Sequence, residues 1–179
     1  MRTFRLNSES AGLLIVDVQE RLFDHVERSC EVMHAILKMA RGAKILKLPI
    51  VATEQYPQGL GPTISQIKNC LGPEQIYPSK TCFSAVEKVA DLPPTQWIIV
   101  GIEAHVCILQ TAKDLQAAGK QVVVLNDAIS SRSIYDFSTA IAEMRDCGIR
   151  ISSVETVLFE LMRDASHPLF KEMSKLLKG

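Results

Sequence analysis

Several features that mark secreted, metal-binding or nucleic-acid-binding proteins are scarce or missing in this sequence. The five cysteines form no C-x-x-C pair, so neither a disulfide framework nor a structural zinc site is expected. The 20 basic side chains are balanced by 20 acidic ones. A zero net charge favours neither nucleic acid nor an anionic membrane as a partner, although it does not exclude a local basic patch.

Long apolar runs are also missing. No stretch approaches the ~20 apolar residues that a membrane span needs, and the run LLIV at 13–16 is too short for the apolar region of a signal peptide. We therefore expect a cytoplasmic protein. The remaining composition, 47% hydrophobic and 22% charged over 179 residues, is typical of one globular domain that spans 1–179.

The hydrophobic pattern predicts an alternation of strands and helices. Short β-like runs occupy 12–18, 49–53, 96–102, 121–125 and 149–154. Most are continuous Ile/Val/Leu blocks, which are typical of strands buried on both faces of a parallel sheet. A weaker strand is expected at 75–79, where Pro78 restricts it to an edge.

Helical spacing of apolar residues fills the segments between the strands. It predicts helices at 29–47, 105–118 and 135–147, and two more in 155–178 that separate near His167 and Pro168. This order of elements predicts a three-layer α/β fold with a six-stranded, mostly parallel sheet flanked by helices.

Three chemically active residues follow strands of this predicted sheet. Ligands of a doubly wound sheet bind beyond the carboxyl ends of the strands, where the strand order reverses between the first and fourth strands. Asp17 ends the first strand, Cys107 lies just after the fourth, and Lys80 follows the weak third strand. We therefore expect Asp17, Lys80 and Cys107 to converge on one crevice.

This group has the composition of a nucleophilic site. The first turn of a helix favours a thiolate, and a nearby ammonium lowers the thiol pKa further, so we expect a lowered pKa for Cys107. A carboxylate can take the thiol proton and return it to a leaving amine. Backbone N–H groups of the turn 101–107 can stabilise the oxyanion.

Four further residues are candidate substrate contacts. Gln19 and Phe23 follow the first strand, Tyr56 lies in the Pro/Gly-rich loop 54–63, and His105 precedes the cysteine. The loop is a candidate lid or pocket wall, and its residues Glu54, Gln55 and Tyr56 either line the pocket or serve the turn. Packing for Phe23, a local hydrogen bond for Gln19 and a surface position for His105 are the alternatives.

Other motifs are disfavoured by their spacing. A Cys-His dyad of His105 with Cys107 is disfavoured because positions two apart on a helix do not face each other. The glycines at 59 and 61 do not open a helix and are followed by Ile64, so they do not form a dinucleotide-binding motif. No cofactor is therefore expected.

Several segments resemble the isochorismatase-like hydrolase family, and most of all its subgroup of isochorismatase domain-containing proteins. The segments are LLIVDVQERLF at 13–23, SKTCFSA at 79–85, GIEAHVCILQTAKDLQAAG at 101–119, NDAISSRS at 126–133 and ETVLFELMRDASHPLFKEMSKL at 155–176. They cover nearly the whole chain.

The resemblance implies a Rossmann-like sheet and an Asp-Lys-Cys triad. By position, Asp17 matches the general base, Lys80 the lysine and Cys107 the nucleophile. The resemblance also implies a cis peptide bond between Ile102 and Glu103, which would aim the N–H groups of Glu103 and Cys107 into an oxyanion hole. A homo-oligomer is a further implication.

Departures from the family pattern narrow the function. Nicotinamidases carry an Asp-x-His metal motif where this chain reads TEQYPQGL, which argues against that activity and against a bound zinc. Isochorismatases proper lack the nucleophilic cysteine, so Cys107 favours cleavage of a C–N bond. Ala104, where many members have Thr or Ser, leaves the substrate open.

The resulting hypothesis is a hydrolase that cleaves a small amide, ureido or related compound through a thioester at Cys107. A small molecule is then the partner, with no nucleic acid or membrane. Two alternatives stay open: a catalytically idle interaction or scaffold protein on this fold, and a thiol redox protein that uses Cys107 with Cys82 as the resolving thiol.

Overall fold

A parallel sheet organises the computed structural model, which describes residues 4–178. Its strands are β1 Ala11–Val16, β2 Ile50–Gln55, β3 Ser79–Lys80, β4 Gln96–Ile102, β5 Gln121–Ser130 and β6 Arg150–Ser152. Within the described residues they lie in the order β3-β2-β1-β4-β5-β6, and every neighbouring pair is parallel. The predicted α/β class is therefore confirmed, and the order of strands reverses between β1 and β4, as predicted.

Helices cover both faces of the sheet. They are α1 Glu20–Phe23, α2 Ser29–Ile45, α3 Pro57–Leu60, α4 Ser65–Leu71, α5 Val86–Val89, α6 Leu109–Ala117, α7 Ile134–Asp146, α8 Val154–Met162 and α9 Phe170–Lys178, with a π-helical turn at Ala104–Ile108. No helix within residues 4–178 is long and apolar enough to cross a membrane.

Alternate residues of the central strands contribute to two apolar clusters. Leu13 and Ile15 pack with buried residues of α2, α8 and α9 on one face. Leu14 and Val16 pack with buried residues of α6 and α7 on the other face. Because successive strand residues point to opposite faces, a strand covered on both sides is apolar throughout.

Every predicted strand except 96–102 has different bounds in the structure, and three of the differences have a clear local cause. The third strand is Ser79–Lys80 rather than 75–79, because Pro78 has no N–H to donate and regular pairing begins only after it. β5 continues to Ser130, since its register against β4 shifts between Ile99 and Gly101 and pairing then resumes. β6 stops at Ser152, because α8 begins at Val154, whose N–H donates to the Asp127 carboxylate.

The loop predicted at 54–63 is also more ordered than expected. Its first residues complete β2, and the short helix α3 follows at Pro57–Leu60. The segment therefore forms a structured wall beside the end of β2.

Gly101 lets the two central strands approach at the end where the candidate site begins. Its φ is +121°, and a Cβ at this position would lie 2.1 Å from the carbonyl oxygen of Val16. Only glycine combines that φ with that contact. The ends of β1 and β4, and the residues that follow them, are thereby held side by side.

Candidate active site

Asp17 lies directly beyond the end of β1 and is fully buried. Its φ is +52°, a left-handed conformation that turns the chain out of the strand. The Thr53 hydroxyl donates a hydrogen bond to Oδ1 at 2.8 Å, and the Lys80 ammonium donates to Oδ2 at 2.6 Å. Residues of β2 and β3 therefore engage both carboxylate oxygens.

Lys80 ends the edge strand β3, and its side chain is 2% exposed. Besides Asp17, its Nζ donates to Gln55 Oε1 at 2.7 Å and to the carbonyl oxygens of Phe83 at 2.8 Å and Cys82 at 3.2 Å. These acceptors replace the hydration shell that a buried ammonium has lost. The Asp17–Lys80 pair is therefore a buried ion pair with matched hydrogen bonds.

The residues that hold this ion pair include two that the sequence did not single out as partners of the triad. Thr53 and Gln55 lie at the carboxyl end of β2, next to β1. Gln55 accepts from Lys80 and donates to the Thr81 carbonyl at 2.7 Å. The sequence feature that could have identified Thr53 and Gln55 is their position at the end of a strand adjacent to the one that leads to Asp17.

Gln19 has a structural role, so the structure does not support it as a substrate contact. Its Oε1 accepts from the backbone N–H of Gln55 at 2.7 Å, and its Nε2 donates to the carbonyls of Gln55 at 3.0 Å and Gly61 at 2.6 Å. The side chain is fully buried and both amide protons are used. Gln19 instead ties the end of β2 to the turn after α3.

Cys107 lies in the π-helical turn after β4 and is 6% exposed. The pKa of its thiol is raised to about 12. Burial is the largest cause of the increase, and the negative charge of Asp17 is the next. Lys80 acts in the opposite direction, as does the backbone N–H of Glu103, while a hydrogen bond to Asp17 raises the pKa further. Cys107 is thus electrostatically coupled to Asp17, Lys80 and Glu103.

The predicted lowering of the Cys107 pKa is wrong. Lys80 does lower it, but burial and the Asp17 carboxylate outweigh that contribution. The turn is also π-helical rather than a regular first turn of α-helix, with Ile108 N–H donating to the Glu103 carbonyl at 3.1 Å. In the free protein, Cys107 is therefore a neutral thiol beside a carboxylate.

Glu103 connects this turn to the end of β5. The Ile102–Glu103 peptide bond is cis. The Glu103 side chain is 11% exposed and accepts a hydrogen bond from Arg132 Nε at 2.7 Å. Arg132 thus holds the residue whose backbone N–H acts on the Cys107 sulfur.

The other candidate contacts lie in different surroundings. Phe23 is 6% exposed and packs in the apolar cluster on the α2 face, whereas Cys107 belongs to the cluster on the opposite face, so packing is the role that the structure shows for Phe23. Tyr56 is 54% exposed and lines a cavity of about 260 Å³ with Lys80 and Cys82.

His105 is half-buried on the same turn as Cys107. Its Nδ1 lies 3.0 Å from Ser131 Oγ, and its Nε2 lies 3.9 Å from an Asp136 carboxylate oxygen. Its ring is therefore engaged by the segment that follows β5.

Within residues 4–178, no three or more His, Cys, Asp and Glu side chains gather in a way that could hold a metal ion.

The fold and this site define a class of protein: a three-layer α/β protein with an Asp, a Lys and a Cys at the carboxyl edge of its sheet. The isochorismatase domain family matches residues 11–156. Isochorismatase domain-containing protein 2A of Mus musculus is 41% identical over 180 residues, which cover 97% of this chain and 85% of the relative. The chain therefore belongs to the isochorismatase family, and the resemblance seen in its sequence is confirmed.

Solved structures agree with this assignment. A structure described as MAR1 ribonuclease from Caenorhabditis elegans has a TM-score of 0.93 and 35% identity, and the match covers 98% of this chain and 93% of that one. The YcaC gene product of Escherichia coli, described as an octameric hydrolase of unknown specificity, has a TM-score of 0.87 at 23% identity and covers 99% and 97%. The second likeness shows the fold alone.

The surroundings of Cys107 predict an unusual alkylation profile. Because its pKa is raised to about 12, its reaction with iodoacetamide should be slow at neutral pH and should accelerate about tenfold per pH unit into the alkaline range. Asp17→Asn removes two of the causes that raise the pKa, so alkylation of Cys107 should be faster at every pH below the wild-type pKa. Peptide mass spectrometry measures each rate.

The exposed Cys147 serves as the internal control, since its alkylation should be the same in both proteins. A slower Cys107 reaction in Asp17→Asn would contradict the assigned coupling between the thiol and this carboxylate.

Proposed function

We propose that this protein is a cysteine hydrolase that cleaves a C–N bond of a small amide, ureido or related compound. The observation that supports the proposal is the position of a buried thiol against a buried Asp17–Lys80 ion pair, since the pKa of Cys107 responds to both partners. A thiol, a proton acceptor and a fixed cation are the groups that nucleophilic acyl transfer requires.

In the first half of the proposed reaction, the Cys107 thiol passes its proton to Asp17 as sulfur attacks the substrate carbonyl carbon. The carbonyl oxygen becomes an oxyanion, which the backbone N–H groups of Glu103 and Cys107 stabilise. The C–N bond then breaks, the nitrogen takes the proton from Asp17, and the amine leaves. A thioester on Cys107 remains.

In the second half, Asp17 takes a proton from water while the water oxygen attacks the thioester carbon. The C–S bond breaks, the acid product leaves, and the sulfur recovers the proton. Lys80 remains an ammonium throughout and balances the charge that moves between Asp17 and the reacting atoms. Because Cys107 is only 6% exposed, the site suits a small substrate.

The buried charges also argue against an idle scaffold. Removing Asp17 and Lys80 from water costs free energy, and replacing a buried ion pair by apolar residues is often neutral or stabilising. Chemistry at the neighbouring Cys107 gives these charges a use that partner binding at the surface does not. The redox alternative would pair the buried Cys107 with Cys82, whose side chain is exposed on the loop that binds the Lys80 ammonium through its carbonyls.

We also propose that residues 1–179 form one domain that assembles as a homo-oligomer. Large apolar side chains are exposed at Ile76 (79%) and Tyr135 (80%), and burial of such side chains favours association. Light scattering after size exclusion chromatography measures the assembly.

A panel of small primary amides, ureides and carbamoylated amines tests the reaction class. We expect the wild-type protein to release ammonia or amine from at least one compound, and intact-mass spectrometry during turnover to show an acyl adduct on the Cys107 peptide. A panel without turnover or adduct would favour the scaffold alternative. A Cys82–Cys107 disulfide formed during peroxide titration, without any hydrolysis, would favour the redox alternative.

A further inference from the structure

Basic residues are concentrated on one face of this otherwise neutral protein. The chain as a whole carries 20 basic and 20 acidic side chains. From residue 34 to its end, α2 has three basic residues and no acidic one, and α9 has three basic residues and only Glu172 as an acid. The six are Lys38, Arg41, Lys44, Lys171, Lys175 and Lys178. The two helices pack against each other, so residues distant in the chain form a single basic face.

These cations are not neutralised by acidic partners. The ion pairs found within residues 4–178 lie elsewhere, at Lys80, His105, Lys113, Arg132 and Arg150. Two of the lysines donate to backbone carbonyls: Lys44 Nζ to Cys70 and Leu71 at the end of α4, and Lys38 Nζ to Leu177. Such bonds orient an ammonium but leave its charge available.

The face is also concave. A groove of about 940 Å³ lies between α2, α4 and α9, and its polar lining consists of Arg41, Lys44 and Lys175, one carboxylate, Glu172, and the amides of Gln66 and Asn69. A second cavity of about 580 Å³ continues along α9 and shares Lys175 with the first. Residues three or four apart on a helix lie about 5–6 Å from each other, so the cations form rows along the groove. We name the surface lined by Arg41, Lys44, Lys171, Lys175 and Lys178 the basic groove.

We propose that the basic groove binds single-stranded nucleic acid through its phosphate backbone. When lysine and arginine side chains neutralise phosphates, the counterions condensed on the nucleic acid are released, and this release drives binding. A groove between helices admits one strand, whereas a lipid surface is flat and would contact only its rims. The amides of Gln66 and Asn69 can hydrogen-bond base edges, and aliphatic side chains such as Leu37 and Leu176 offer apolar contact to bases.

This proposal is independent of the hydrolase site. Cys107 packs in the apolar cluster on the opposite face of the sheet from α2 and α9. Cys107→Ala should therefore bind nucleic acid as the wild type does. The zero net charge of the chain did not favour nucleic acid as a partner. Binding at the basic groove is compatible with that charge, because a sum over the chain carries no information about how charges are distributed on the surface.

Fluorescence anisotropy with a labelled oligouridylate of about 12 nucleotides measures the binding. If Arg41, Lys44 and Lys175 each meet a phosphate, log K should fall with log salt with a slope of about −2, since each contact on a single strand contributes about −0.7. Arg41→Glu/Lys175→Glu should bind at least about tenfold more weakly and reduce the slope to about −0.7. Arg41→Gln/Lys175→Gln should show a smaller loss in the same direction.

Lys88→Glu/Arg145→Glu is the matched control, because it changes the net charge equally on the other side of the sheet. It should bind within about twofold of wild type. Equal losses in the control and groove variants, or no binding by the wild type, would overturn the proposal. So would equal affinity for duplex, full competition by a mononucleotide at similar concentration, or binding to phosphatidylserine vesicles in place of the oligonucleotide. Circular dichroism melting verifies that every variant is folded.

Discussion

Cys107→Ala is expected to lower kcat/KM for the substrate found in the panel by at least about 10⁴-fold, because it removes the atom that forms the covalent intermediate. The fold should tolerate the change, since alanine leaves a small space in the π-helical turn and no polar group without a partner. Steady-state kinetics measures the loss, and intact-mass spectrometry should show that the acyl adduct is absent.

Two matched variants make this result specific. Cys107→Ser preserves the shape of the side chain but offers a much weaker nucleophile, so its activity should also be lost. Cys82→Ala should keep most of the activity, because Lys80 contacts the backbone carbonyl of Cys82 rather than its thiol. Turnover that survives in Cys107→Ala would reject the thioester mechanism.

Asp17→Asn is expected to lower activity by at least about 10³-fold and to destabilise the protein by about 3–5 kcal/mol. The activity falls because an amide cannot accept the thiol proton. The stability falls because the Lys80 ammonium, 2% exposed, loses its only acidic partner among the described residues. Urea denaturation measures the free energy of unfolding, and kinetics on the folded fraction measures the activity.

The companion variants separate the two effects. Lys80→Met in the Asp17→Asn background removes the unpaired charge, so it should recover part of the lost stability and none of the activity. Thr53→Val, which removes one hydrogen bond to Asp17, should cost about 1 kcal/mol. An Asp17→Asn protein as stable as the wild type would show that the buried ion pair does not have the assigned role.

The core of the site was accessible from sequence because it follows from strand topology. Asp17, Lys80 and Cys107 each lie just beyond or at the end of a strand, and parallel strands in this order place such residues at one edge. The supporting residues Thr53 and Gln55 were not identified, because a polar residue at a strand end gives no indication of which side chain it will contact. For Gln19 and Phe23 the sequence left a structural role open beside substrate contact, and the structure shows such a role for each: hydrogen bonds for Gln19 and core packing for Phe23.

Local pattern determined the elements of this protein: apolar runs bounded by turn residues form strands buried on both faces, and helical spacing places the helices between them. Two properties depended on tertiary structure alone. The protonation state of Cys107 follows from burial and from an anion and a cation that arrive from distant segments, so local sequence predicted the wrong direction. The basic groove exists because α2 and α9 pack together, since electrostatic potential depends on where charges lie in space and not on their sum.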